Sequence, residues 1–237
     1  MRQQFLLAVS LVLLASPATA GALIEPHMHI VPTGSAPEVA LTLDACMGAA
    51  DMRILTALVD DHIPATIFAT RRWLVRNPKV VALLVAHPEL FEIEDHGADH
   101  LPAVIGKAKP YGLTPAGTAN AVFNEVLGGS QAVEAATGVR PVWYRGAGAL
   151  YTQDALDLIA TMGLKVGGFS LNGDLGASAS QDVTRTRIAA ASSGDVIIAH
   201  VNQPTHPAGA GVVEGVLALK AKGFVFVRLE DVAETGS

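Results

Sequence analysis

The chain has 237 residues, half of them hydrophobic and 16% charged, with a formal net charge of −6. That composition excludes a disordered polar chain, and the lack of any basic run leaves nucleic-acid binding without electrostatic support. The single cysteine, Cys46, excludes an intrachain disulfide, and aromatics at 5% leave few stacking platforms for a long sugar chain.

In chain order, residues 1–20 read as an export signal. Arg2 supplies a positive start, Phe5 to Ala15 an apolar run too short for a comfortable membrane span, and Pro17-Ala18-Thr19-Ala20 a small-x-small cleavage pattern. The mature protein is expected to begin at Gly21 as one domain over residues 21–237. It would be periplasmic or secreted, with no stable membrane insertion; the alternative is an uncleaved anchor. Val39-Ala40-Leu41-Thr42-Leu43 then reads as a buried strand, and Met52, Leu55, Leu58 and Val59 give one apolar helix face. Ala65 to Ala69 is the next strand, Val80 to Val85 a helix and Leu90 to Ile93 a short strand. Thr114-Pro115 has the form of an N-cap with proline in the first turn, predicting a helix from there to about Ala136. Val142-Trp143-Tyr144 is a strand, Thr152 to Met162 a helix closed by Gly163, and Leu164 leads a strand reaching Ser170. The helix from Thr184 to Ala191, the strand from Asp195 to Ala199, the helix from Val212 to Lys222 and the strand from Phe224 to Val227 complete the pattern.

About seven β/α units follow from this alternation. Strands buried on both faces and linked by helices imply a parallel sheet, and at this length a closed or nearly closed barrel is expected. Chemistry in such barrels sits where strands end, and several polar residues fall there: Asp44, His96, Arg145, Asn172, Asp174 and His200. His96-Gly97-Ala98-Asp99-His100 spaces two imidazoles at i and i+4, which on a helical turn would suit two ligands of one metal. Asp44 ends a buried strand and so needs a cation, a metal or a donor as partner. His200 ends the apolar run from Val196, either as an acid/base group or as a strand-capping imidazole. Cys46 is taken as a buried thiol acting as a small hydrophobe; the alternative is a thiol near the site, since it lies two residues after Asp44. His62 and His87 read as helix-end residues, and His27, His29 and His206 as solvated.

Together these residues resemble the polysaccharide deacetylases, the fourth family of carbohydrate esterases. That family's T-F-D-D-G stands here as Thr42-Leu43-Asp44-Ala45-Cys46, and its H-[ST]-x-x-H-P as His96 to His100 with Pro102 one residue late. Its R-P-P-[YF] corresponds to Arg145-Gly146-Ala147-Gly148, its fourth motif to the stretch from Phe169 to Asp174, and its L-x-H to Ile198-Ala199-His200. The resemblance covers about Glu38 to Val232. It implies a distorted, nearly closed (β/α)7 barrel and a metal-dependent hydrolase removing N- or O-linked acetyl from an acetylated polysaccharide or oligosaccharide of the cell envelope. By the same resemblance, His96 and His100 hold a divalent ion, expected to be Zn2+. Asp44 is catalytic base or third metal ligand, Arg145 holds Asp44, and His200 is the general acid. Asp174, with Asn172 as the alternative, orients His200. The departures are Ala45 for the family's metal-binding Asp and Gly146-Ala147-Gly148 for Pro-Pro-aromatic, from which a more open groove wall is expected. Two other functions compete with this one: a glycan-binding protein that has lost its metal, and an amide or ester hydrolase of the same fold acting on a small molecule. Trp73, Tyr111, Trp143, Tyr144 and Tyr151 are the main stacking candidates, with Trp143 assigned to the core.

Overall fold

A computed structural model describes residues 22–236; the export signal expected over residues 1–20 lies outside them. The strands are β1 (Met28–Ile30), β2 (Glu38–Ala45), β3 (Ala65–Ala69), β4 (Phe91–Asp95), β5 (Trp143–Tyr144), β6 (Lys165–Val166), β7 (Leu171–Asn172), β8 (Val196–His200), β9 (Val225–Val227) and β10 (Glu234–Gly236). The helices are α1 (Met52–Asp60), α2 (Arg71–Arg76), α3 (Pro78–Val85), α4 (Ala119–Thr137), α5 (Gln153–Thr161), α6 (Gln181–Ala189) and α7 (Ala208–Ala221). The main sheet runs β6-β5-β4-β3-β2-β8-β7, with β9 paired to the first residues of β2, and all its pairings are parallel. It curls into an incompletely closed α/β barrel, as the alternation of strands and helices implies. β1 and β10 form a separate antiparallel pair.

The period of two along a strand sorts the side chains into two layers. On β2, Val39, Leu41, Leu43 and Ala45 enter the large apolar layer shared with the helices, where Ile54, Leu58, Trp73, Val212 and Leu219 also lie. Ala40, together with Phe68 of β3 and Trp143 of β5, belongs to the inner cluster. Thr42 and Asp44 alternate with the outward set and so share the inner face. Because all strands of the main sheet are parallel, the ends of β2, β4, β5, β7 and β8 open on one rim.

Local chemistry shifts some predicted boundaries. The long helix starts not at Thr114 but after Thr118, whose hydroxyl accepts from the Ala121 N–H. The stretch around Pro115 is held instead in loop bonds, Ala116 N–H to Pro102 O and Gly117 N–H to Val104 O. The strand expected to reach Ser170 stops at Val166, and a new one, β7, forms at Leu171. The break falls at Gly167-Gly168, where side chains would collide: a Cβ would lie 2.5 Å from the Phe68 ring at the first and 2.4 Å from Pro26 O at the second.

Candidate active site

The rim residues line one cleft of about 570 Å3, which includes Asp44, Cys46, His96, His100, Tyr111, Ile198 and His200. Arg145 lies beneath it, fully buried, and four of its five guanidinium N–H groups are bonded. It donates to Asp44 Oδ1 at 2.9 Å, to the Thr42 hydroxyl at 2.8 Å, and to the carbonyls of Gly167 and Gly168 at 2.9 and 2.8 Å. The group also stacks 4.2 Å from the centre of the Phe68 ring. The glycine pair that follows β6 thus also seats the arginine through its two carbonyls. Burial alone would raise the Asp44 pKa; the charges of Arg145, His96 and His200 outweigh it and hold the carboxyl below its ordinary value.

His96 follows β4 on the inner face. Its Nδ1 lies 2.5 Å from the Arg145 carbonyl, which can only accept, so that nitrogen carries the proton and Nε2 is free to ligate. Nε2 lies 3.4 Å from Cys46 Sγ and 3.8 Å from Asp44 Oδ2. The two imidazoles of the His96–His100 pair meet edge-on with ring centres 5.1 Å apart. No helical turn brings them together, contrary to the spacing argument: the segment bends through Gly97 at φ +88° and His100 at φ +62°. The bend is held from α4, where the buried Glu125 carboxylate accepts from the Asp99 and Leu101 N–H groups at 2.9 and 3.0 Å. Asp95, turned outward by the strand alternation, accepts from Gly97 N–H at 2.7 Å and Ser130 Oγ at 2.8 Å; burial pushes its pKa up to about 7.

His200 ends β8 and sits in register opposite Asp44. Its Nδ1 is 3.0 Å from Asp174 Oδ1, and Asp174 Oδ2 accepts the His200 backbone N–H at 2.7 Å. Burial opposes charge on the ring, but the Asp174 carboxylate and Cys46 raise its pKa well above the ordinary imidazole value. Asn172 does not touch the ring; its side-chain oxygen accepts from Leu175 N–H.

Cys46 is buried, as expected, but it also stands at the site, as the alternative reading had it. It lines the cleft, and Cys46, His96 and His100 place one donor atom each within 4.8 Å of one another. Burial would raise the thiol pKa, but His96, His100 and His200 around it bring it well below the ordinary thiol value. The same surroundings act in reverse on His96: burial lowers its pKa, while Asp44 and Cys46 push it up to about 9. A carboxylate, a thiol and two imidazoles thus converge on one spot, and this donor set fits a divalent metal ion.

Of the five aromatic candidates, Trp73, Trp143, Tyr144 and Tyr151 are buried. Tyr111 alone is exposed on the cleft, and its ring stands over Gly148, 3.3 Å from where a Cβ would be. An aromatic from another loop therefore flanks the wall that the glycine-rich third motif was expected to leave open. Sequence reasoning also missed Glu125 and Thr42. Glu125 had a signal: it falls among Val122, Val126 and Val133 on the buried face of α4, where an unpartnered carboxylate is costly.

The chain matches the family profile described as polysaccharide deacetylase over residues 32–167, more than half its length. No match is found among curated protein sequences. Solved structures with the same fold include a T48 deacetylase with substrate, 24% identical with a TM-score of 0.65, covering 83% of this chain and 90% of that one. The peptidoglycan deacetylase PdaC of Bacillus subtilis is 20% identical, with a TM-score of 0.67 and coverage of 83% and 90%. A third, BA3943 of Bacillus anthracis, is described as a pseudoenzyme of the same esterase family; it is 17% identical, with a TM-score of 0.67 and coverage of 84% and 66%.

Proposed function

The chain belongs to the polysaccharide deacetylase family, and on that premise we propose that it is a metal-dependent hydrolase removing N- or O-linked acetyl from a carbohydrate of the cell envelope. The observation that carries this reading is the convergence, on one cleft, of an arginine-held carboxylate and a carboxylate-held imidazole on either side of the His96–His100 pair.

His96 and His100 would hold the ion. When bound, a divalent metal polarises the acyl carbonyl and lowers the pKa of water toward ~7. Asp44 acts as the general base rather than as a ligand. Its Oδ1 is committed to Arg145, which keeps the group ionised, and its Oδ2 faces the site. Arg145 is a positioning residue, since among the described residues its guanidinium bonds go to Asp44, Thr42 and two backbone carbonyls, with the Phe68 ring against it. Asp174 fixes the proton of His200 on Nδ1, so that Nε2 is the atom presented to the leaving nitrogen or oxygen. Tyr111 offers a sugar face a stacking surface beside the reacting centre. An export signal over residues 1–20 would deliver the protein to the periplasm or beyond, where envelope glycans lie.

Ala45, in place of the family's metal-binding carboxylate, favours a second reading, a glycan-binding protein without catalysis. The buried Asp44–Arg145 and His200–Asp174 pairs weigh against it, because binding alone has no use for an acid and a base aimed at one point. The deciding measurement is acetate release by zinc-loaded protein from a panel of acetylated glycans, small acetamides and acetate esters. Release from glycans is the expected result. Turnover of the small compounds alone would move the substrate class, and binding of glycans with no release would establish the second reading.

A further inference from the structure

Resting on the reading that His96 and His100 hold the ion, we propose that Cys46 is the third protein ligand, a thiolate standing in for the missing carboxylate. Asp44 at the end of β2 and Cys46 just past it both line the cleft, whereas Ala45 between them is turned into the helix-facing apolar layer. The residue that aligns with the family's ligand therefore points the wrong way here, and the next one points inward.

Distance supports the assignment. A tetrahedral ion with ordinary zinc–sulfur and zinc–nitrogen bonds separates its sulfur and nitrogen ligands by about 3.6 Å; Cys46 Sγ and His96 Nε2 are 3.4 Å apart. The thiol is also held in place by its loop. The Thr70 hydroxyl donates to Cys46 O, Asn202 Nδ2 to Met47 O at 2.7 Å, and Asn77 Nδ2 to Gly48 O at 2.9 Å. Three successive carbonyls are thus clamped by side chains from three other segments. Asp44, the only competing donor named for the role, is tied to Arg145. A sulfur donor then has two consequences. It biases the site toward zinc and cobalt over hard ions such as magnesium, and it leaves Asp44 free to move protons.

Cobalt tests this directly, because a thiolate ligand gives Co2+ a charge-transfer absorption in the near ultraviolet that oxygen and nitrogen ligands do not. Chelator-stripped protein titrated with Co2+ is expected to take one ion per chain and to show that band. Cys46→Ser should lose the band and weaken binding by at least ~10–100-fold, the cost of losing an outer-shell partner alone. Cys46→Asp, which supplies oxygen instead, should keep the ion without the band. One ion bound with no band, or unchanged affinity in Cys46→Ser, overturns the thiolate while leaving the histidine pair as the metal site. Failure of the wild-type protein to bind any ion overturns both readings.

Discussion

The inner face of strand β4, continued one residue past its end, carries three titratable groups, Glu92, Glu94 and His96, and the two ends of that face handle burial in opposite ways. At the rim, Asp44 lies beside His96 and Arg145 and stays ionised below the ordinary carboxyl range. At the lower end, Glu92 and Glu94 are as deeply buried but face each other, with neutral donors around them: the Thr66 hydroxyl at 2.6 Å and the Glu230 N–H at 3.2 Å on Glu92, and the N–H groups of Val142 and Trp143 at 2.9 and 2.7 Å on Glu94. Burial, reinforced by the Glu92 charge, pushes Glu94 up to about 9 despite the N–H donors, and burial raises Glu92 as well. The lesson is that depth does not set the charge of a buried acid. For Asp44 the guanidinium within 3 Å does, whereas the neutral donors on Glu92 and Glu94 do not offset their burial and mutual repulsion.

The largest expected effect comes from taking the cation out of the rim. Arg145→Met leaves Asp44 buried without its partner and should destabilise the fold by about 3–5 kcal/mol, read by denaturant unfolding. A smaller loss would mean that the histidines alone suffice to hold Asp44 ionised. Ala45→Asp, which at first sight restores the family's ligand, should instead cost about 3 kcal/mol or more, since it places a carboxylate in the outward apolar layer with no cation. A gain in stability or in metal affinity would show that β2 can turn its residue 45 inward.

Next come the effects on turnover. Asp44→Asn should keep the metal and lower kcat by about 10²–10⁴-fold, because an amide cannot accept the proton; loss of metal in this variant would return Asp44 to the ligand set. His200→Ala should leave the fold and metal intact while activity on an amide falls by roughly 10²-fold. The fall should shrink on an activated aryl ester, whose leaving group needs no proton. Equal loss on both substrates would make His200 a positioning residue.

The smallest effect, and the sharpest test of the contrast, is at the lower end. Glu94 binds its proton more tightly in the folded state, so stability is full below the unfolded pKa and falls as pH rises from about 4.5 toward 9. Glu94→Gln removes that fall. Its Tm should exceed that of the wild type at pH 8.5 by at least about 2–4 °C, which is what 1 kcal/mol amounts to at this size, and should match it at pH 5. Parallel curves at both pH values would mean that Glu94 is ionised in the native protein.

Patterns local in the chain are legible in the sequence alone. The apolar runs around Leu41, Ile67 and Ile197, separated by helix-period segments, determine a parallel α/β sheet because only burial on both faces tolerates them. Rim positions at strand ends put Asp44, Arg145 and His200 in one place, because parallel strands all end on the same side. What the sequence could not decide was geometry set by distant partners. His96 and His100 meet through a bend held by Glu125 on α4, not through a helical turn. Tyr111 covers Gly148 from a separate loop. Above all, whether the residue two after Asp44 is core or site depended on the side chains of Thr70, Asn77 and Asn202, which fix the loop after β2. Their contacts with that loop span from 24 to 155 residues of chain. No periodicity encodes such contacts, because they exist only once the barrel has closed around them.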